Sequence, residues 1–319
     1  MTTYFVGGGF DCWQPSVSAV TDSARGVRIG NGSAFADAIL RDASGDAVSV
    51  SSLWFHSSIG ANAYNPDNGN IPLEFRDAAG VPQARLRWNS ATGYILEFYN
   101  GSAWVSAAPA VVPGPFGDIV DIQIVIDPTQ GRIAWYYGGT LAASLVDIDT
   151  SGMAAIRTVR AKVIETYLGS GSYLDTIVAS YNTIGHVVRR RAATGAGAHS
   201  EWAGAYTDID EDITNDADAI STSTTDAIET FTGTILSATG PGNVIKSVAV
   251  GMRIRANGGT PARSRAVLRV GGADYVGPVM TPDSGYGAVV SAFDLNPATS
   301  APWANITAAN GEFGVKGVA

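Results

Sequence analysis

Residues 121–141 read DIQIVIDPTQGRIAWYYGGTL, and this stretch decides the fold. Ile122, Ile124 and Ile126 alternate with more polar neighbours, the period-two pattern of a strand with one buried face. Pro128-Thr-Gln-Gly131 is a polar turn. Arg132-Ile-Ala-Trp-Tyr-Tyr137 then returns to the aromatic and β-branched content that suits a strand. Gly138-Gly139 makes a second turn, and Leu141-Ala-Ala-Ser-Leu145 follows. The chain crosses a sheet, turns, and crosses back.

The same grammar extends over the first 180 residues. Strands are predicted at Val27–Ile29, Leu73–Phe75, Ala84–Trp88, Tyr94–Tyr99, Ala161–Tyr167 and Asp175–Ser180. Ser49–His56 alternates too, with Val50, Leu53 and Phe55 as its inner set. Asn100-Gly101 is a strong hairpin signal. No segment keeps a helical period for more than about two turns. About ten to twelve short strands at this spacing imply a sandwich or barrel.

The order of these pieces resembles a concanavalin/laminin-G-like jelly roll. Segment 121–141 carries most of the resemblance, through the run strand, Asp127-x-x-x-Gly131, strand, Gly139-x-Leu141. It implies an all-β chain whose residues 1–183 form a jelly-roll sandwich. Residues 184–198 turn basic and then small and Gly-rich, as an exposed linker would be. Residues 199–319 read as a smaller β-sandwich, with strands at Glu229–Leu236, Val244–Arg255, Ala266–Val270 and Gly287–Phe293.

This second half resembles structural proteins of tailed-phage virions. The matching pieces are Trp202, Ile209-Asp-Glu211, Thr230-Phe231 and the strand Gly242–Arg253. The closing pieces are Asn296-Pro-Ala-Thr through Trp303 and Phe313-Gly-Val-Lys316. The resemblance implies a virion location, assembly in the host cytoplasm, and contacts with other virion proteins and with copies of itself, most often as a trimer.

Composition narrows the chemistry. Charged residues make up 15% of the chain and the net charge is −9. A general nucleic-acid binder needs a basic face for phosphates, so this balance argues against one. Cys12 is the single cysteine, which excludes an intrachain disulfide or a cysteine zinc cluster. The N-terminus lacks the pattern of a secretion signal. No apolar run reaches the eighteen residues a membrane-spanning helix requires, so membrane insertion is not expected.

Several clusters invite a site. Asp208, Asp210 and Asp212 have EF-hand spacing, but Ile213 and Ala219 stand where the loop needs Gly and Glu, which favours a solvated loop. That acidic run could instead face Arg189, Arg190 and Arg191, in the same subunit or across a subunit boundary, with Asp210 and Asp212 as partners. Laminin-G-like domains often bind calcium or glycans at the rim. Asp67, Asn68 and Asn70 could then supply oxygen ligands, although an ordinary turn cluster is the favoured reading. Calcium is the one cofactor considered, and nothing else in the sequence calls for it. Tyr64 and Trp88 could form a sugar platform, against the plainer reading as core.

Glu74 and Glu97 are read as residues of neighbouring strands. They could act as the carboxylate pair of a jelly-roll glycosidase, but they lack its clustered acidic motif, and surface positions are favoured. His56, His186 and His199 are scattered. No catalytic residue is therefore expected. The leading expectation is a non-enzymatic tail-fibre, tail-tip or head-spike component that attaches to a host glycan. A capsid decoration protein and a glycan hydrolase are the alternatives.

Overall fold

The computed structural model describes all residues except 8–11, 16–19, 24–25, 31–34, 62–70, 90–92, 108–117, 163–169, 211–214, 238–243, 283–284 and 305. The chain divides into two compact units, one built mainly from residues up to Val188 and the other from Arg189–Ala319.

The first unit is a sandwich of two antiparallel sheets. Along the eight-stranded sheet the order is β13 (Thr140–Ile148), β12 (Gly131–Tyr137), β11 (Asp118–Val125), β6 (Ser52–Ala61), β15 (Ser170–Ala179), β4 (Gly26–Gly30) and β3 (Val20–Ser23). Strand β1 (Thr3–Gly7) also pairs with β15. The seven-stranded sheet runs β10 (Trp104–Ser106), β9 (Gly93–Tyr99), β8 (Pro82–Asn89), β7 (Leu73–Arg76), β14 (Thr158–Lys162), β5 (Phe35–Ile39) and β2 (Gln14–Pro15). These crossings give the concanavalin-like jelly roll expected for the first half.

Segment 121–141 falls where its pattern puts it. Ile122 and Ile124 point into the core from β11, and Ile133 and Trp135 do so from β12. Ile126 lies just beyond β11 and is only half-buried. At Gly138-Gly139 both residues have positive φ, 54° and 80°, as a two-residue hairpin turn requires. Asn100-Gly101 closes the β9–β10 hairpin, where Asn100 Oδ1 accepts the amides of Ser102 and Ala103.

The core between the sheets holds Leu53, Phe55, Leu73, Phe75, Leu86, Leu96, Ile122 and Trp135, all essentially inaccessible. Phe55 and Phe75 meet edge to face across it. Tyr173 on β15 reaches from one sheet to the other. Its hydroxyl lies 2.5 Å from the Pro72 carbonyl and 2.8 Å from that of Lys162. Complete burial pushes this phenol well above its ordinary range, so it stays neutral and donates.

Among its described residues the second unit is all-β apart from one helical turn each at Tyr206–Asp208 and Ile306–Ala309. A five-stranded antiparallel sheet runs β16 (Ala193–Ser200), β17 (Ile228–Gly233), β22 (Glu312–Val318), β19 (Arg263–Val270) and β20 (Ala273–Val276). A two-stranded sheet, β18 (Val248–Ile254) with β21 (Gly287–Phe293), packs Val250 and Val289 against Ala266.

The C-terminal residues from the Asn-Pro turn to the closing strand are structural. Trp303 is buried with Leu268, Val270 and Ala309, and its Nε1 donates to the Phe293 carbonyl at 2.8 Å. Asn296 folds the Asn-Pro turn by accepting the Ala298 amide on its side chain. Gly314 sits mid-strand in β22, between β17 and β19, where a Cβ would collide with the Glu229 carbonyl oxygen. Only glycine fits so close an approach of two backbones.

The expected linker, residues 184–198, needs correction. Its last six residues belong to β16, which pairs with β17. Glycine is used there for packing rather than for slack: a Cβ on Gly195 or Gly197 would strike the hydroxyl of Thr232 or Thr230. Among the described residues no helix is long and apolar enough to cross a membrane.

Candidate functional site

The strongest assembly of polar side chains lies on the seven-stranded sheet, on the face turned away from the sandwich core. Successive side chains on a strand alternate between faces. Ala84, Leu86, Leu73, Phe75, Val159, Ala161, Ala36 and Ala38 take the core side. Arg85, Arg87, Glu74, Arg76, Arg160, Lys162 and Asp37 therefore take the other.

Register aligns them. Glu97 on β9 is opposite Arg85 on β8, and Arg85 is opposite Glu74 on β7. Glu74 is opposite Arg160 on β14, and Arg160 is opposite Asp37 on β5. One row of alternating charge thus crosses five strands. Opposite charges directly across a ladder attract, whereas like charges there would repel.

The contacts are close. Arg85 Nε donates to Glu97 Oε2 at 2.7 Å, and Arg87 donates twice to Glu97 Oε1, at 3.0 and 2.8 Å. Ser106 on β10 adds a hydroxyl at 3.2 Å. Lys162 Nζ lies 3.0 Å from Glu74 Oε1, and Arg76 Nε lies 3.2 Å from Glu74 Oε2. Arg160 grips Asp37 with two bonds of 2.7 Å. Arg85 also covers the Trp104 ring at 3.8 Å and Arg160 covers Phe35 at 3.5 Å. Among the described residues five cations face three carboxylates, so this set is net positive on a chain that is net negative.

Burial pushes the Glu97 carboxyl upward, but the hydrogen bonds from Arg87 and Arg85 outweigh it and hold the group below the ordinary carboxylate range. Arg87 is raised in turn, chiefly by its bond to Glu97.

This placement corrects the reading of the two glutamates. They are not on neighbouring strands, because β8 and Arg85 stand between them. Nor are they surface residues, since Glu74 is 5% exposed and Glu97 4%. The sequence shows only two Leu-Glu-Phe tripeptides, and the intervening arginine becomes visible only with the register.

At the Asp37 end of the row the face opens into a cleft of about 360 Å³, lined in part by Asp37, Arg41, Arg76, Asp77, Arg157 and Arg160. Asp77 is committed to its turn, accepting the amides of Ala79 and Val81 and the Gln83 side chain.

The other candidates lie elsewhere. Tyr64, Asp67, Asn68, Asn70 and Asp212 fall outside the described residues. Trp88 shares its side of β8 with Ala84 and Leu86 and meets Tyr94 edge to face at 5.0 Å, so it belongs with the core side. Among the described residues no group of three His, Cys, Asp or Glu could hold a metal ion.

Arg191 is the clearest correction to the inter-subunit set. Its guanidinium donates to five main-chain carbonyls of its own unit, those of Gly233, Thr234, Ala309, Asn310 and Gly311. A fully engaged fork of donors has nothing left for a neighbouring chain. Arg189 and Asp210 are exposed, and Arg190 is half-buried. Within the acidic run, Asp208 accepts the Ala205 amide and Asp216 forms a bidentate pair with Arg253.

Sequence reading also missed a buried polar trio. His56 Nδ1 and Thr183 Oγ1 both lie 2.8 Å from Asp121 Oδ1, and all three residues are at most 3% exposed. A catalytic base must reach a substrate; this trio is sealed, and it fastens the chain beyond β15 to β6 and β11.

No protein-family model matches the chain, and no curated protein sequence matches it. Among solved structures, the globular domain of T. cruzi calreticulin is similar at 10% identity and a TM-score of 0.42, over 57% of this chain and 89% of that one. The carbohydrate-binding module CBM66 from Bacillus subtilis is similar at 11% identity and a TM-score of 0.36, over 53% of this chain and 95% of that one. The cellulose-induced protein Cip1 is similar at 13% identity and a TM-score of 0.38, over 53% and 87%. These are distant likenesses, and the functional reading rests on the residues of this chain.

Proposed function

We propose that this chain is a non-enzymatic structural component of a tailed-phage virion whose jelly roll engages a host-surface glycan through the outer face of its seven-stranded sheet. The carrying observation is the charge row from Glu97 to Asp37. Its side chains hold one another in fixed geometry, so planar hydrogen-bonding groups are presented with little entropy left to lose on binding. Trp104 and Tyr99, 5.8 Å apart at the other end of the row, add partly exposed aromatic surface of the kind sugars stack on.

The virion location rests on the sequence resemblance of residues 199–319. The non-enzymatic reading is supported by Glu97. A glycosidase needs one carboxylic acid kept protonated by a raised pKa, whereas two arginines hold this one ionised.

Labelling the protein on intact particles, together with a glycan array probed with the full chain, tests the proposal. Density at the tail end or in projecting spikes, with retention of specific glycans, is the expected result. Density spread over the capsid lattice without glycan binding would replace it with the decoration role. Absence from particles would remove the virion location, and cleavage of a retained glycan that is lost in Glu97→Gln would make the protein a hydrolase.

A further inference from the structure

We infer that the cleft at the Asp37 end of the charge row selects an anionic sugar, one carrying a carboxylate or a sulfate ester. This rests on the glycan-binding reading and narrows it to a ligand class. Four arginines and two aspartates contribute to the cleft wall. The carboxylates are already occupied: Asp37 is held by both arms of Arg160, and Asp77 accepts three hydrogen bonds within its own turn. Arg160 is taken up by Asp37, and Arg76 pairs with Glu74, which lies outside the wall, whereas Arg157 is left over. Among the described residues Arg157 forms no ion pair, although it lies only half-exposed at the cleft. Arg76 Nε is buried without a well-aligned acceptor, since its 3.2 Å approach to Glu74 does not make a hydrogen bond.

A guanidinium presents a planar fork of N–H donors that matches the two oxygens of a carboxylate or sulfate. A volume of about 360 Å³ is at the small end for ligand sites, enough for about one or two sugar units rather than an extended chain. A neutral sugar would leave the Arg157 charge without a counter-ion. An acidic one would neutralise it, in a setting partly shielded from water where a charge-assisted bond counts for more.

The test uses the full chain and three matched sets of immobilised oligosaccharides: uronic-acid-containing, the same chains after carboxyl reduction, and sulfated. Titration calorimetry with the best binder then compares wild type with Arg157→Gln, and circular dichroism checks that the variant is folded. The expected result is retention of the uronic or the sulfated set, no retention of the reduced set, and at least a tenfold weaker affinity for Arg157→Gln. Retention of the uronic set alone identifies the anion as a carboxylate, and of the sulfated set alone as a sulfate ester. Equal retention of acidic and reduced chains, or an Arg157→Gln affinity equal to wild type, would overturn the cleft inference while leaving glycan binding intact. Failure to retain any glycan, neutral ones included, would overturn both.

Discussion

Replacing Arg191 with methionine isolates the contribution of its guanidinium, because methionine keeps an apolar stem beside Phe313, over whose ring the arginine now lies. Five carbonyls lose their donor at once. A hydrogen bond to a charged group contributes about 1.5–3 kcal/mol. Five such values cannot be added, since the bonds share one cation that burial already disfavours, as its lowered pKa shows, and carbonyls nearest the surface regain water. A net loss of about 3 kcal/mol is expected, in the range of a broken buried network. For a unit of roughly 130 residues the unfolding entropy is about 0.27 kcal/mol/K, so the transition falls by about 11 °C. Arg191→Lys keeps the charge with three donors in place of five and should lose about half as much.

Differential scanning calorimetry of the full chain, with Arg189→Ala as a control, measures this directly. The control should move by less than about 0.5 kcal/mol. If Arg191→Met stayed within that margin, the carbonyl clamp would be energetically idle. If it dissociated an oligomer at unchanged melting temperature, Arg191 would return to the inter-subunit role that the structure denies it.

Three further outcomes follow from the geometry. Tyr173→Phe removes the donor shared by Pro72 and Lys162 and should cost about 1–3 kcal/mol in urea unfolding, with no change in m-value; a neutral result would mean water replaces the hydroxyl. Gly314→Ala forces β17 and β22 apart and should cost more than about 2 kcal/mol, whereas soluble protein with wild-type stability would show that the strands part easily. Glu97 has a lowered folded pKa, so its contribution is fully present above the unfolded carboxylate value and is lost as pH falls through the folded one. Urea midpoints should therefore drop more between about pH 7 and about pH 3 for wild type than for Glu97→Gln, and parallel curves would refute the link.

The strands easiest to read were those with large inward residues. Segment 121–141 alternates isoleucine with polar groups and turns at glycine, and each signal maps onto β11, β12 and their loops. Strand β5 escaped because its inward residues are Ala36 and Ala38, too small to register as a hydrophobic beat. Strand β16 escaped for the opposite reason: Gly195 and Gly197 imitate a linker while making room for threonine hydroxyls. The charge row was illegible in principle. Its members come from positions 37, 74, 85, 97 and 160, and only the register of four separate strand pairs makes them neighbours. Arg191 looks like Arg189 and Arg190 beside it in a basic run, and nothing local says that it folds under.

The two sheets of the jelly roll end very differently. The seven-stranded sheet closes on a three-residue strand at one side and a two-residue strand at the other. Backbone groups left open by such stubs are too few to template another chain. The eight-stranded sheet ends at one side on β13, nine residues long, with Leu141 and Val146 outward and half-exposed. Two register shifts against β12 skew its pairing, an irregularity that discourages indiscriminate strand addition. Among the described residues the charged sheet, by contrast, ends on short strands at both sides. Among the described edge strands of this unit β13 is the longest, so close packing of copies along a sheet edge would bear on it first.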